Sequence, residues 1–237
     1  MPLSSVRSAV ERLLLPAECL LCHALLNDSD GIVCPVCRHR WRAVRPPWCE
    51  RCGQPEPSFG PCRLCAAWPS ALKAVRSAVW LDDGARQAVH ALKYGALPRI
   101  ADDLAAGMNT GRPPADGPSV LIPIPLAAGR LRERGYNQSE ALARALARQW
   151  RIPVTVDLLA RTRETPTQTT LTPGTRLANV AGAFAVTRKQ SGKTLVLVDD
   201  VFTTGATLAE AARALEQAGA TTIYGVTFAR AAIPDFT

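Results

Sequence analysis

Residues 195–207 read Leu-Val-Leu-Val-Asp-Asp-Val-Phe-Thr-Thr-Gly-Ala-Thr. Leu195 to Val198 is an unbroken apolar run, the signature of a strand buried on both faces. Two acids, Asp199 and Asp200, end the run. A loop of small and hydroxyl side chains follows, Thr203-Thr204-Gly205-Ala206-Thr207. Helical periodicity then sets in at once, from about Thr207 to Ala218, with Thr207 the expected N-cap and Gly219 the expected C-cap. Each part has a physical task. Open α/β sheets hold ligands beyond the carboxyl ends of their strands. A loop this small lets backbone N–H groups wrap a phosphate. Thr203, Thr204 and Thr207 can add hydroxyl donors, and the helix N-terminus adds partial positive charge. Asp199 and Asp200 would repel a phosphate. They suit the hydroxyls of an attached sugar, or a hydrated Mg2+. A nucleoside-triphosphatase strand is the rival reading, but it needs a G-x-x-x-x-G-K-[ST] loop. Gly192-Lys193-Thr194 ends like one, yet Thr187 stands where the first glycine belongs, and the stretch precedes the strand it should follow.

Working outward, strands and helices alternate. Residues 78–81 read as a strand and 85–93 as a helix with Val89 and Leu92 inward. Residues 100–108 read as a second helix, 110–119 as a polar loop and 120–124 as a β-rich run. A helix over 138–150 turns Leu142, Leu146 and Trp150 inward and Arg144 and Arg148 outward. Residues 152–160 and 183–187 read as strands, and 222–228 as the last strand. The segment 161–176, rich in Thr, Pro and Arg, has no period. This order predicts an α/β fold with a mostly parallel open sheet.

The chain has 237 residues, 47% of them hydrophobic and only 5% aromatic, so aliphatic side chains must carry the core. The formal net charge is +8, and 24 of the 28 basic residues are Arg, which excludes a Lys-rich tail. No apolar run reaches the length of a membrane span. Leu3, Val6, Val10, Leu13 and Leu14 repeat at helical spacing, and residues 1–18 are expected to form an amphipathic helix that packs as a lid. Arg7, Glu11 and Arg12 interrupt it and make it a poor signal peptide, so a cytoplasmic protein is expected.

The eight cysteines all fall between positions 19 and 65, as Cys19/Cys22, Cys34/Cys37, Cys49/Cys52 and Cys62/Cys65. A CxxC knuckle turns two thiolates toward one metal, and two knuckles complete a tetrahedral site. Four knuckles at near-even spacing predict two structural Zn2+ sites within residues 19–70. A disulfide scaffold fits poorly with a cytoplasmic chain. Two occupied sites, or one occupied and one decayed, both satisfy the pattern. Gaps of 11 and 9 residues suit a hairpin within each site and favour sequential pairing of knuckles over crossed pairing. His23 and His39 are surplus to a complete thiolate set.

The 195–207 stretch resembles the phosphoribosyl-pyrophosphate signature of type I phosphoribosyltransferases. More of the chain is similar to the ComF family, in which a double zinc ribbon precedes a phosphoribosyltransferase-like domain. The shared marks are the knuckle ending Cys49-x-x-Cys52-Gly53-x-Pro55, Ala91-Leu92-Lys93-Tyr94, Pro123-x-Pro125-Leu126 and Arg134-Gly135-Tyr136-Asn137-Gln138. Arg161, Gln168, Arg176 and Asn179 follow, before Gly182-Ala183-Phe184. The likeness covers about residues 17–230 and places the transferase-like domain at 76–237.

The resemblance implies a set of ligand contacts. Asp199 and Asp200 would serve the ribose and its Mg2+. Thr203, Thr204, Gly205, Ala206 and Thr207 would form the 5′-phosphate loop. Arg130, Arg134, Asn137 and Gln138 would belong to the pyrophosphate loop, and Arg161, Gln168, Arg176 and Asn179 to the closing loop. Guanidinium forks match pyrophosphate oxygens. Residues 130–176 alone carry +5, equal to the whole excess of residues 76–237. The implied reaction is Mg2+-dependent displacement of pyrophosphate at ribose C1, the chemistry of a pentosyl-type glycosyltransferase. No dedicated acid or base stands out, and the acceptor is unspecified. The family's link to natural competence also implies partners: single-stranded DNA, or the helicase and channel proteins of DNA uptake. An enzyme, a ligand-binding regulator without turnover and a DNA-handling adaptor are all compatible with these residues.

Overall fold

A computed structural model describes residues 17–27, 30–55, 62–112, 118–163, 181–190 and 192–232. Its centre is a four-stranded, wholly parallel sheet in the order β1-β6-β5-β2. The strands are β1 (Leu72–Trp80), β2 (Ser119–Pro123), β5 (Thr194–Phe202) and β6 (Ile223–Arg230). The Leu195–Val198 run lies in β5, between β2 and β6, where neither face meets water. Val196 and Val198 join one apolar cluster, and Leu195 and Leu197 the other. This alternation follows from the two-residue period of a strand.

On the first face lie α2 (Asp83–Tyr94), α3 (Ile100–Gly107) and α5 (Gln138–Trp150). The Asp82 carboxylate caps α2 by accepting from the Ala85 N–H at 2.9 Å. Leu142, Leu146 and Trp150 of α5 are buried as the periodicity requires. Arg144 and Arg148 face out and pair with Glu140 and Asp102. On the second face lies α6 (Ala206–Gln217), beside a small antiparallel pair of strands, β3 (Leu159–Arg161) and β4 (Phe184–Val186).

Three expectations change. Residues 152–160 are not one strand. They make a single bridge at Val154 and then bend at 156–158 before β3 begins. Residues 128–134, which lack apolar periodicity, form a helix, α4 (Ala128–Arg134), with no buried residue. Thr207 does not cap α6. Gly205 does, at φ 76° in the left-handed region, and the helix starts one residue before Thr207. The expected lid helix lies largely outside the described residues. Among the described residues, no helix is long and apolar enough to cross a membrane.

The cysteine segment wraps one edge of this sheet. Among the described residues its helix is α1 (Pro35–Arg40), capped by the Cys34 sulfur. Val44 N–H donates to Ala78 O at 3.0 Å, Trp80 N–H to Arg42 O at 2.8 Å and Val75 N–H to Arg51 O at 2.8 Å, so the ribbon satisfies the outer edge of β1. At the opposite edge Pro153–Thr155 does the same for β2, through Leu121 N–H to Pro153 O at 2.8 Å and Thr155 N–H to Leu121 O at 2.9 Å.

Candidate functional site

The site is built at the carboxyl ends of β2 and β5. Asp199 and Asp200 occupy the last turn of side chains before the loop, and successive strand residues point apart. Asp200 is buried and meets Lys93 Nζ at 2.5 Å. Lys93 sits in the last turn of α2. Burial works to raise the Asp200 pKa, but the Lys93 charge and hydrogen bond overcome it and hold the carboxyl below its usual range. The same pairing raises Lys93 against its own desolvation. Asp199 differs. Its Oδ1 accepts from Ser139 Oγ at 2.8 Å and from the Asp200 N–H at 3.0 Å. Burial, and then the neighbouring Asp200 charge, push it up to about 7.

Asp199 therefore has a pH signature. An acid with a raised folded-state pKa contributes most below its ordinary value of 3.8 and loses that contribution as pH rises to about 7. Urea melts from pH 4 to 8 are expected to show Asp199→Asn gaining on the wild type up to about pH 7, with no further change above it. A constant offset across that range would contradict the assignment.

The segment 134–138 ties three elements together. Gly135, at φ 80°, ends α4, and Asn137 caps α5 by accepting from the Ser139 N–H at 3.0 Å. Asn137 Nδ2 donates to Ile124 O at 3.0 Å, beyond the end of β2. Arg134 donates to Gln138 Oε1 at 2.5 Å and lies 5.0 Å over the Tyr94 ring. Tyr136 OH donates to Leu92 O. Arg134, Asn137 and Gln138 thus converge beside Lys93 and the two acids. Arg161, on β3, lies 5.5 Å over Phe184. Burial lowers its pKa, followed by the charge of Arg130, while Asp199 acts in the opposite sense. Arg130 and Arg161 therefore share one electrostatic neighbourhood with Asp199. Gln168, Arg176 and Asn179 lie outside the described residues.

The loop turns at Gly205. A Cβ there would come within 2.6 Å of Trp68 Cζ2 and 2.8 Å of Phe202 Cε2, so both the backbone conformation and the space require glycine. Gly205 has no side chain to cap α6, and Thr204 Oγ1 accepts from the Ala206 N–H at 3.4 Å. Thr203, Thr204 and Thr207 all lie at this helix start, as an anion cradle needs.

The thiolates pair sequentially. Cys19, Cys22, Cys34 and Cys37 form one cluster, and Cys49, Cys52, Cys62 and Cys65 the other, with all sulfurs of each set within 4.8 Å of one another. A tetrahedral zinc with Zn–S of about 2.3 Å separates its sulfurs by about 3.8 Å. The observed spacings are 3.8 Å for Cys22–Cys34, 3.7 Å for Cys49–Cys65 and 3.5 Å for Cys52–Cys62. None of the eight is in a disulfide. Burial pushes the Cys37 and Cys65 thiols up to about 12, which a divalent cation would reverse. Both sets therefore fit Zn2+. His23 is exposed and pairs with Glu18, outside the cluster.

Sequence comparison agrees with both halves. Residues 10–66 match the model of a double zinc ribbon domain, and residues 136–233 that of a phosphoribosyl transferase domain. The DNA utilization protein YhgH of Salmonella typhi is 34% identical over 224 residues, covering 89% of this chain and 96% of the relative. The chain belongs to the ComF family. YhgH of Escherichia coli strain K12 is 30% identical over 221 residues, with the same coverage of both chains. Competence protein ComFC of Bacillus subtilis is 28% identical over 220 residues, covering 85% of this chain and 89% of the relative. Within this ComF chain, Lys93 is the site residue that sequence reasoning missed. It appeared as part of a family mark, but its partner lies 107 positions away, and no local pattern signals such a pair.

Proposed function

We propose that this ComF-family protein binds phosphoribosyl pyrophosphate with Mg2+ and acts as a phosphoribosyltransferase. The observation that carries the reading is the placement of three parts at the carboxyl end of β5: the acid pair on that strand, the glycine-turned loop at the start of α6, and the Arg134–Gln138 corner joined to Asp199 through Ser139. In this reading the loop takes the 5′-phosphate through backbone N–H groups and Thr hydroxyls. The carboxylates accept from the ribose hydroxyls. Asp200 is paired with Lys93, and a Mg2+ held beside the acid pair would supply charge neutralisation for the pyrophosphate. Arg130, Arg134 and Arg161 supply positive charge for that leaving group, and Gln168, Arg176 and Asn179 are further candidate contacts to it. The protein's contribution is positioning and charge stabilisation of an oxocarbenium-like transition state.

With phosphoribosyl pyrophosphate and Mg2+ at about a hundredfold above Kd, the melting temperature is expected to rise by about 5–10 °C. Asp199→Asn combined with Asp200→Asn, checked for native circular dichroism, should abolish the rise. A wild-type protein with no shift would overturn the reading. Release of pyrophosphate with candidate bases or amines would separate an enzyme from a regulator.

The names of the relatives favour a setting in DNA uptake or use, with single-stranded DNA or an uptake helicase or channel as partner. Binding of single-stranded DNA that weakens steeply with salt would support direct contact. Absent or salt-insensitive binding would leave only an indirect role in the pathway.

A further inference from the structure

The two cysteine clusters dock on different parts of the fold. The first is anchored to α3. The buried Asp103 carboxylate accepts from Ile32 N–H at 2.7 Å, Val33 N–H at 3.1 Å and Arg38 at 2.8 Å. The second lies against the loop of the candidate site, through two groups. One is Trp68, three residues past Cys65. Its N–H donates to Cys65 O at 3.2 Å. Arg51, inside the Cys49–Cys52 knuckle, donates to Cys65 O, Trp68 O and Pro69 O at 3.1, 3.0 and 2.8 Å. The Trp68 ring meets Phe202 edge-on, with centroids 6.2 Å apart, and fills the space where a Gly205 Cβ would stand. The other group is Arg230, fully buried at the end of β6. It donates to Cys52 O at 2.8 Å and to Gln54 Oε1 at 2.6 Å, and its guanidinium lies 4.2 Å from the Phe202 ring centre.

Phe202 therefore lies between the Arg230 guanidinium, which donates to the Cys52 carbonyl, and the Trp68 ring, which also meets Gly205 and whose backbone is tied to Cys65 O and Arg51. We propose that Trp68 and Arg230 are positioning residues that transmit the fold of the Cys49/Cys52/Cys62/Cys65 site to the phosphate loop. Metal occupancy of this site and phosphate-ester binding are then thermodynamically linked. The first cluster is outside the linkage. The proposal rests on the reading that the loop takes a sugar 5′-phosphate. Its physical basis is that the left-handed turn at Gly205 is supported from below by the Trp68 ring. If the metal leaves, Arg51 and the Cys65 carbonyl no longer fix that ring, and the loop loses its N–H cradle. Linkage is reciprocal, so an ester on the loop must hold the metal in the second site.

The test uses the full-length zinc-loaded protein and ribose 5-phosphate as probe. Calorimetry first measures its binding. A chromogenic chelator then follows zinc release, and alkylation with mass spectrometry reports which cysteines open. Saturating ester is expected to slow release and alkylation at Cys49, Cys52, Cys62 and Cys65 by about fivefold or more, with Cys19, Cys22, Cys34 and Cys37 unaffected. Trp68→Ala should keep both zinc equivalents, bind the ester about tenfold more weakly and lose the protection, and Trp68→Phe should restore most of both. Ester binding with equal or no protection of the two clusters would overturn the linkage, as would wild-type affinity in Trp68→Ala. Absence of ester binding to the wild type is seen in the calorimetry alone. It removes the ligand reading, and the linkage with it.

Discussion

Replacing Lys93 by Met is expected to destabilise the protein by about 3–5 kcal/mol at pH 8, because it leaves the buried Asp200 carboxylate without its countercharge. The loss should be smaller at pH 5. In the wild type, the depressed pKa of Asp200 means that its contribution is present above the ordinary 3.8 and is lost as pH falls through that region. Without Lys93, burial alone acts on Asp200 and raises its pKa. The variant then takes up a proton at mild acidity and escapes most of the cost of a buried charge. The gap between wild type and variant therefore widens as pH rises. Adding Asp200→Asn to Lys93→Met should recover most of the stability, since an amide carries no uncompensated charge. Urea unfolding of the four proteins in the cycle at pH 5 and pH 8 measures this. A loss that is the same at both pH values and unrelieved by the second substitution would mean that the aliphatic stem of Lys93, not its charge, matters.

The second large effect is metal loss. Cys52→Ser is expected to reduce bound zinc from two equivalents to one and to lower the melting temperature by more than about 10 °C. Cys52 is fully buried, and its carbonyl receives Arg230. Structural zinc contributes about 10–16 kcal/mol in small metal-folded peptides. That is comparable to the whole stability of a domain, about 5–15 kcal/mol. The ribbon has little apolar core of its own to replace it. Elemental analysis with differential scanning calorimetry reads both quantities. Retention of two zinc ions, or an unchanged transition, would contradict the four-thiolate assignment.

Much of this arrangement was legible in the chain itself, for identifiable reasons. The Leu195–Thr207 stretch is decisive because strand, acids, loop and helix are contiguous, and local pattern suffices. The knuckles are equally local; the gaps favoured sequential over crossed pairing without deciding it, and the fold groups the sulfurs sequentially. The shortfalls have physical causes. Thr207 was the natural cap by residue type, but Trp68 and Phe202 crowd Gly205 so closely that the left-handed glycine takes the cap instead. Residues 152–160 read as a strand, yet only Pro153–Thr155 pair with β2, Pro153 has no N–H to extend that pairing toward Ile152, and the chain bends at 156–158. Helix α4 buries no residue, so it leaves no hydrophobic period to read. Lys93–Asp200 and Trp68–Gly205 are long-range contacts between residues that look ordinary alone, and only the fold brings them together.

The hydrogen bonds from Val44, Trp80 and Val75 across the outer edge of β1 bear on how the protein can be dissected. Sequence motifs suggest a cut near residue 70, yielding a free-standing phosphoribosyltransferase-like fragment. Such a cut would strip β1 of its cover and leave a nine-residue strand with open N–H and C=O groups facing solvent. Uncovered edges of this kind recruit other strands and drive self-association. Hydrogen bonds thus cross the apparent module boundary, and fragments made there are expected to report on aggregation before they report on function.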